Sequence, residues 1–424
     1  MAKQSGSGTL KVVDPQEHAR LIVDGLVGAG VEMVASLPDL KVVEVIRALE
    51  RESRLRHVPL CREEEGVGIC AGAFLAGKRG ALLMQNGGFL NACNGLTTTA
   101  LQFEIPMLLL IYYAGDRGDR GFATVGAMTE PVLRALGIRY EVLRDVSEAP
   151  RILREYQILA EDSKRPVALL LTQDVLGVRG VRLSYEGEPL PPGPHPTPAF
   201  GGERASGPSR GPGDLVRAVA PQQSAEERPT RYQCLEALAD ALGDALTVSA
   251  GGTYREWEAL RPSEGNLRGR TLGLVSSMGL GLALSLPRRR VVVLDGDGAL
   301  LMNLCGLPTI AWQGPANLLH VVFDNGCYEA SGSTATATAA GADLVAMAQG
   351  AGYRRAAWVA TPEDLRREVG RSLEAKQLTF IGIKVRPGRE RGLAESSVDE
   401  IELKYRFMRH VEATEGVPVL RGSF

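Results

Sequence analysis

Two polar segments, each directly after an apolar run, carry residue types that can hold a metal ion and a diphosphate. Residues 291–294 are apolar and lead into Asp297, which has a glycine on each side, and residues 318–323 lead into Asn325, 28 positions later. Such apolar runs predict buried parallel strands, and open α/β sheets bind ligands at the carboxyl ends of their strands. Flanking glycines let an anion approach the backbone. We therefore predict one site shared by two strand ends.

The oxygen atoms of these segments suit a hard divalent cation. Such a cation takes about six oxygen ligands from carboxylates, amides, carbonyls, substrate phosphates and water. Asp297, Asn325 and the backbone carbonyl of Cys327 can supply three of them. A lone Gly-Asp-Gly is usually a turn between strand and helix, but the asparagine at this spacing, with a strand before each half, favours a magnesium site.

Composition limits the class of protein. The chain has 424 residues, 44% of them hydrophobic and 23% charged, with a formal net charge of −2. This length predicts two or three domains, and the charge disfavours nucleic acid and anionic membranes as partners. Six cysteines without a Cys-x-x-Cys pair argue against zinc and against a disulfide framework. No apolar run is long enough for a membrane span or a secretory signal, so we expect a cytoplasmic protein.

The elements that position the site alternate between strand and helix in both halves of the chain. We predict an α/β fold with two doubly wound parallel-sheet domains, at 11–183 and 230–386. A Pro/Gly-rich linker at 184–229 joins them, and 387–424 form an extension containing a helix that packs on the body or on a partner subunit. Within the domains, single helices are predicted over 63–78, 89–101 and 299–312.

A second segment whose residue types could do chemistry begins at three consecutive acids, Glu63, Glu64 and Glu65. Acids favour the positive end of a helix dipole, and on the residue types alone this explanation is preferred. However, residues 62–86, REEEGVGICAGAFLAGKRGALLMQN, followed by GGFLNACNGL, resemble the pyrimidine-binding domain of the thiamin diphosphate-dependent sulfopyruvate and phosphonopyruvate decarboxylase family. The Gly-Asp-Gly segment with its later asparagine resembles that family's diphosphate and magnesium signature.

The resemblance implies thiamin diphosphate and Mg²⁺ as cofactors, bound between a pyrimidine-binding and a diphosphate-binding domain without a full middle domain. It places Glu63, nine residues before Gly72, against the aminopyrimidine, with Glu64 and Glu65 as solvated or salt-bridged acids. It places Met278 under the bent cofactor and the Ser276 carbonyl against its amine. The implied cofactor-binding set is Glu63, Gly252, Thr253, Ser276, Ser277, Met278, Gly296, Asp297, Gly298, Ala299, Asn325, Cys327 and Tyr328, with Asp297, Asn325 and Cys327 on the metal.

The expected activity is decarboxylation of a small anionic 2-keto acid, with 3-sulfopyruvate, giving sulfoacetaldehyde and CO₂, preferred over phosphonopyruvate. Gln85 is a candidate catalytic residue, and Asn86, Arg117 and Arg120 are candidates for the substrate's anionic tail. Glu63 and Asp297 fall in different domains, and the class that this chain resembles builds its sites between such domains of two subunits, so the resemblance implies at least a homodimer with shared sites.

Two alternatives remain open. One is a carboligase of the same fold. The other is a non-catalytic cofactor-binding protein, suggested by a short helix after Met278 and by Gly87 where the family has a serine.

Overall fold

Two parallel six-stranded sheets, each covered by helices, make up the protein. The computed structural model describes residues 14–181, 220–394 and 398–419. The first domain contains α1 (Pro15–Gly28), β1 (Met33–Ser36), α2 (Val43–Arg51), β2 (Arg56–Pro59), α3 (Glu63–Leu75), β3 (Gly80–Gln85), α4 (Asn86–Asn91), α5 (Cys93–Gly95), a π-helical turn (Leu96–Leu101), β4 (Met107–Tyr112), α6 (Ala123–Ala135), β5 (Arg139–Leu143), α7 (Ala149–Ser163) and β6 (Pro166–Leu171).

The second domain continues the same scheme. It contains α8 (Arg231–Ala239), β7 (Leu246–Ala250), α9 (Gly251–Leu260), β8 (Asn266–Gly269), α10 (Val275–Ser285), β9 (Val291–Gly296), α11 (Asp297–Leu301), α12 (Gly306–Gln313), β10 (Leu318–Asp324), the short hairpin strands β11 (Cys327–Tyr328) and β12 (Thr334–Ala335), α13 (Leu344–Ala351), β13 (Arg355–Val359), α14 (Pro362–Ala375) and β14 (Thr379–Lys384). The chain then forms α15 (Glu400–Glu415).

Both sheets have one strand order. The first runs β2-β1-β3-β4-β6-β5, and the second, read from its other edge, runs β8-β7-β9-β10-β14-β13. Numbering the six strands of each sheet along the chain gives 2-1-3-4-6-5 in both cases. The central strands β4, β6 and β10 are buried along their whole length, as expected of parallel strands covered on both faces. The predicted fold class is therefore confirmed.

The two domains pack through α3 and α10, which lie so close that glycines form the contact. A Cβ atom added to Gly72 would be 2.1 Å from the carbonyl oxygen of Met278, and one added to Gly281 would be 2.1 Å from that of Ile69. One apolar core runs through this contact and includes Val67 and Leu282. The start of α3 is thereby fixed against the start of α10.

The extension carries the predicted helix, α15, and this helix packs on both domains. Glu400 accepts a hydrogen bond from Gln102 at 3.0 Å and forms an ion pair with Arg270. The buried amine of Lys404 donates to the carbonyl of Glu104 at 3.2 Å. The helix thus crosses the seam between the domains within one chain.

Two single helices predicted from the sequence are wrong because both are interrupted. The 299–312 run divides into α11 and α12, since Pro308 has no N–H for the carbonyl of Leu304 and fits only in the first turn of a new helix. The 89–101 run divides into α4, α5 and the π-helical turn. There the hydroxyls of Thr97 and Thr98 bond back to carbonyls four residues earlier, both at 2.8 Å, which competes with regular helix.

The edge strands β5, β8 and β13 were not predicted, and neither was α9. Residues 1–13 and 182–219, which include positions 184–219 of the predicted 184–229 linker, lie outside the described residues. Residues 220–229 run along the second domain, where Gln223 bonds to the carbonyl of Ala360 at 3.2 Å. Among the described residues, no helix is both long and apolar enough to cross a bilayer.

Candidate active site

Asp297 and Asn325 lie side by side at the carboxyl edge of the second sheet. Their strands, β9 and β10, are parallel neighbours with Gly296 opposite Phe323, so both strands deliver their next residues to one place. The backbone N–H of Asn325 points at the Oδ1 atom of Asp297, at 3.4 Å. This is the arrangement predicted from the two polar segments.

The Asp297 carboxylate is buried and held from one side. Its Oδ2 atom accepts hydrogen bonds from the hydroxyls of Thr336 at 2.6 Å and Thr338 at 3.0 Å, both from the segment after β12. Burial raises the pKa of Asp297, and the two threonine hydroxyls oppose that shift. A divalent cation bound beside this carboxylate would stabilise its ionised form directly, because the cation would be the largest charge in the site.

Asn325 is held by its own turn. Its Oδ1 atom accepts the N–H of Cys327 at 2.9 Å, and its amide donates to Glu329 at 2.8 Å. Glu329 also forms an ion pair with the buried Arg231 at 3.2 Å. The side chain is therefore positioned by contacts that the sequence reasoning missed, since Arg231 lies almost a hundred residues earlier in the chain.

The two glycines around Asp297 have different surroundings. A Cβ atom on Gly298 would lie 2.6 Å from the Tyr328 ring, so this position must be glycine for the hairpin to cover α11. A Cβ atom on Gly296 would meet no heavy atom within 4 Å, so this side of the loop is open. Asp297 and Asn325 supply oxygens next to an accessible backbone, and this donor set fits a magnesium-bound diphosphate.

The remaining predicted residues of the second domain line the same edge. Gly252 and Thr253 begin α9 directly after β7, and a Cβ atom on Gly252 would be 3.6 Å from Arg231. Ser276, Ser277 and Met278 form the buried first turn of α10. Ala299 is buried in α11. These residues therefore all lie in the first turns of helices of the second domain.

In the first domain, the three acids at the start of α3 face three different environments. Glu63 is half-buried and accepts a hydrogen bond from Asn91 of α4 at 2.9 Å. Glu64 forms an ion pair with Arg62 at 3.0 Å, as expected of a salt-bridged acid. Glu65 is fully buried and accepts the hydroxyl of Thr309, in the second domain, at 2.9 Å. The prediction of a solvated or salt-bridged acid is therefore wrong for Glu65.

Glu63 has its own supporting contacts. Gly88, in the first turn of α4, lies so close that a Cβ atom there would be 2.5 Å from the Glu63 Oε1 atom. Asn91, one turn later, donates to Oε2. Neither residue was singled out from the sequence, although both lie in the segment that carries the family resemblance.

Gln85 and Asn86 have different settings at the end of β3. Gln85 donates to the Asp39 carboxylate at 2.9 Å, which brings an acid not predicted from the sequence to this edge. Asn86 is fully buried, and its amide donates to the carbonyl of Ala114 and the hydroxyl of Thr129, both at 2.8 Å. Its Oδ1 atom is buried and has no hydrogen-bond partner among the described residues. The amide of Asn86 thus joins the end of β3 to the neighbouring loop and to α6.

Arg117 and Arg120 lie on an exposed loop after β4. This loop is anchored by its acids: Asp119 accepts the hydroxyl of Tyr112 at 2.6 Å, and Asp116 forms an ion pair with Arg144 at 2.8 Å. The two arginine side chains remain at the surface, beside the same edge of the first sheet.

Comparisons with known proteins agree with this arrangement. Residues 16–127 match the N-terminal TPP binding domain of thiamine pyrophosphate enzymes, and 266–383 match their C-terminal TPP binding domain. The chain is 30% identical to a phosphonopyruvate decarboxylase of Streptomyces viridochromogenes, over 92% of this chain and 94% of the relative. It is 29% identical to a sulfopyruvate decarboxylase of Methanosarcina acetivorans, over 89% and 92% of the two chains.

A solved structure shares the fold. The thiamine diphosphate-dependent 4-hydroxybenzoylformate decarboxylase of Rhodococcus jostii superposes with a TM-score of 0.65 at 15% identity, covering 88% of this chain and all of that one. The chain is a thiamin diphosphate-dependent decarboxylase. Within that class, it belongs to the family of phosphonopyruvate and sulfopyruvate decarboxylases.

Proposed function

We propose that the protein catalyses the magnesium-dependent, non-oxidative decarboxylation of a small 2-keto acid with an anionic tail. We name 3-sulfopyruvate as the first substrate, giving sulfoacetaldehyde and CO₂, and phosphonopyruvate as the alternative. The observation that carries the proposal is the pairing of Asp297 and Asn325 at two adjacent strand ends beside the open Gly296. Bound thiamin diphosphate supplies the electron sink that loss of CO₂ from a 2-keto acid requires.

The chain's own residues would then bind, orient and move protons. Asp297, Asn325 and the carbonyl of Cys327 would hold Mg²⁺ and, through it, the diphosphate. Met278 would support the bound cofactor, and the carbonyl of Ser276 would accept a hydrogen bond from the cofactor's amine. The Glu63 carboxyl, oriented by Asn91, would hold a proton against a pyrimidine nitrogen, a positioned transfer of the kind typically worth roughly 10²–10⁴-fold.

Two groups in the first domain lie where a substrate would approach. Gln85 and its partner Asp39 are at the sheet edge and would orient a water molecule that donates a proton to the product carbon and leaves as hydroxide, to be neutralised by solvent. Arg117 and Arg120 are exposed on the neighbouring loop and would attract the anionic tail. Asn86 has both amide hydrogens engaged within the domain, so we assign it a supporting role rather than direct contact with the tail.

We further propose that each site is shared between two copies of the chain. Residues two apart on a helix point about 200° apart, so Glu63 and Glu65 lie on nearly opposite sides of α3. Glu65 contacts the second domain of its own chain through Thr309. Glu63 therefore faces away from the second domain of its own chain. The diphosphate-binding domain that completes its site belongs to a partner subunit. Exposed apolar side chains at the same edge, Leu40 and Phe122, suit a subunit interface.

The first experiment measures CO₂ release from a panel of 2-keto acids with thiamin diphosphate and Mg²⁺. We expect turnover of 3-sulfopyruvate with a higher kcat/KM than phosphonopyruvate and pyruvate. Glu63→Gln should lose turnover and keep cofactor binding, whereas the control Glu64→Gln, which removes the neighbouring acid, should keep both. Absence of turnover from the whole panel would contradict the proposal.

The second experiment mixes two inactive variants, Glu63→Gln and Asp297→Ala, after reversible dissociation. In shared sites, a mixed dimer combines both defects in one site and leaves the other intact, so an equal mixture should regain about a quarter of wild-type activity. Sites built within one chain would regain none, and that outcome would refute the shared arrangement.

A further inference from the structure

A buried carboxyl joins the two domains of one chain and has no part in the proposed site. The Glu65 Oε1 atom accepts three hydrogen bonds, from the backbone N–H groups of Cys61 at 2.6 Å and Arg62 at 2.8 Å and from the hydroxyl of Thr309 at 2.9 Å. The two backbone donors cap the start of α3, and Thr309 belongs to α12 of the second domain. This single oxygen therefore links both domains.

The other oxygen of this carboxyl points at a polar space. Glu65 Oε2 and Ser277 Oγ are both buried, and among the described residues neither has a hydrogen-bond partner. A Cβ atom built on Gly306 would be 3.6 Å from Ser277 Oγ, 3.6 Å from Ser276 Oγ and 3.8 Å from Glu65 Oε2, with no heavy atom nearer. Three side-chain oxygens thus face the side of Gly306 that carries no side chain, and proteins bind water in polar spaces that offer two to four hydrogen-bond partners.

The charged groups around this carboxyl do not neutralise it. Arg62 is the nearby cation, but its guanidinium pairs with Glu64 at 3.0 Å. The other titratable groups facing Glu65 are the thiols of Cys61 and, before α12, of Cys305, and the groups presented by α10 are the uncharged serines. Burial raises the pKa of Glu65 to about 7, and the bonds from Arg62, Cys61 and Thr309 oppose that shift. This carboxyl therefore changes its charge near neutral pH.

We propose that Glu65 is a positioning residue, which together with one water molecule bound over Gly306 fastens the start of α3 to α10 and α12, and that ionisation of Glu65 weakens this junction. Glu63 and Glu65 share the first turn of α3, so the junction also sets where Glu63 lies relative to Ser276 and Met278 of its own chain. The consequence for catalysis depends on the proposed function, but the junction itself does not.

The main test follows the thermal midpoint of the cofactor-free protein against pH. Because the pKa of Glu65 is above its ordinary value of 4.5, its contribution to stability is full below that pH and is lost as the pH rises to about 7. Glu65→Gln mimics the protonated form. It should match the wild type at about pH 5 and have the higher midpoint at about pH 8, where the ionised group raises the unfolding constant by up to about 300-fold.

Two further variants make the result decisive. Glu64→Gln removes the adjacent acid, which pairs within the first domain, and should give no pH-dependent gain. Gly306→Ala points a methyl group into the space in which we propose the water, at ordinary contact distances from the three oxygens, and should lower the midpoint more at about pH 8 than at about pH 5. A Glu65→Gln difference that is constant with pH would overturn the role of ionisation. A Gly306→Ala variant that is stabilised equally at both pH values, as expected from helix propensity alone, would overturn the water site.

The catalytic consequence is measured separately. Wild type and Glu65→Gln are compared for kcat and for thiamin diphosphate affinity across the same pH range, and the wild-type values should fall relative to the variant above neutrality. If the wild type turns over no 2-keto acid, the proposed function fails, while the midpoint comparison still decides the junction.

Discussion

The contact between α3 and α10 gives the sharpest quantitative prediction, through Gly72→Ala. A Cβ atom at Gly72 would lie 2.1 Å from the Met278 carbonyl oxygen, and ordinary contact begins at 3.4 Å, so the helices must separate by 1.3 Å. The obstacle is backbone, which cannot rotate away. Overpacking of this kind costs about 1–3 kcal/mol, partly offset by the roughly 1 kcal/mol that alanine gains over glycine in a helix. We expect a lower thermal midpoint, by several degrees.

The effect on activity should exceed the effect on stability. Met278 is the proposed support of the cofactor in one shared site, and Glu63 of the same chain belongs to the other site, so the displacement affects both sites of the dimer. A misplacement of about 1 Å in such a site can lower the rate by about 100-fold. Thermal scanning together with CO₂ release from the preferred substrate measures the two effects on the same samples.

Gly370→Ala is the matched control for this comparison. Gly370 is also helical, in α14, but a Cβ atom there would meet no heavy atom within 4 Å. Alanine should therefore raise the midpoint slightly and leave activity unchanged. If Gly72→Ala were stabilised as much as Gly370→Ala, the close contact between α3 and α10 would not exist in solution and the reasoning would be refuted.

Three other predictions concern single side chains. Gly88→Ala should displace only the side chain of Glu63, so decarboxylation should fall by about 10-fold or more in CO₂-release assays. The free energy of unfolding should change by less than about 1 kcal/mol. Burial lowers the pKa of His57 to about 4, so its contribution to stability is full above its ordinary 6.5 and lost as the pH falls to about 4; His57→Gln should remove this loss, of up to about 3 kcal/mol, from acid-unfolding curves. Arg117→Ala and Arg120→Ala should raise KM for 3-sulfopyruvate by about 10-fold with little change for pyruvate, and equal effects on both substrates would contradict a role in binding the anionic tail.

The pairing of Asp297 with Asn325 could be predicted because its signals are local. Each residue follows directly after its own apolar strand, and adjacent parallel strands end at one edge, so sequence order alone brings Asp297 and Asn325 together. The residues that hold them could not be found this way. Arg231 pairs with Glu329 beside Asn325 only because the folded second domain brings these distant residues together. No sequence pattern near Arg231 indicates that contact.

Secondary structure was predicted best where a continuous apolar run is buried, as in β9 and β10. The missed strand β5 is an edge strand whose residues alternate with exposed polar ones, including Arg139 and Glu141, so it has no continuous apolar run. The interrupted helices show the opposite error, in which an apolar pattern predicts a longer helix than the chain forms. The 299–312 run has the right apolar spacing for one helix, but a single missing N–H at Pro308 divides it, and α11, which begins at Asp297, is short as a result.

The three acids at the start of α3 show that residue type alone does not predict which partner a side chain has. Sequence gives three identical side chains in a row, and family spacing selects Glu63 among them, but neither predicts that one turn of helix sends them to Asn91, Arg62 and Thr309. Because successive residues point about 100° apart, a helix start at a domain seam must present consecutive side chains to different neighbours. Glu63 is then left for the proposed cofactor contact, Glu64 forms an ion pair within the first domain, and Glu65 lies at the contact between the domains. Identical residue types therefore have different partners here, because glycine contacts fix one side of the helix and so determine what each of its other sides can reach.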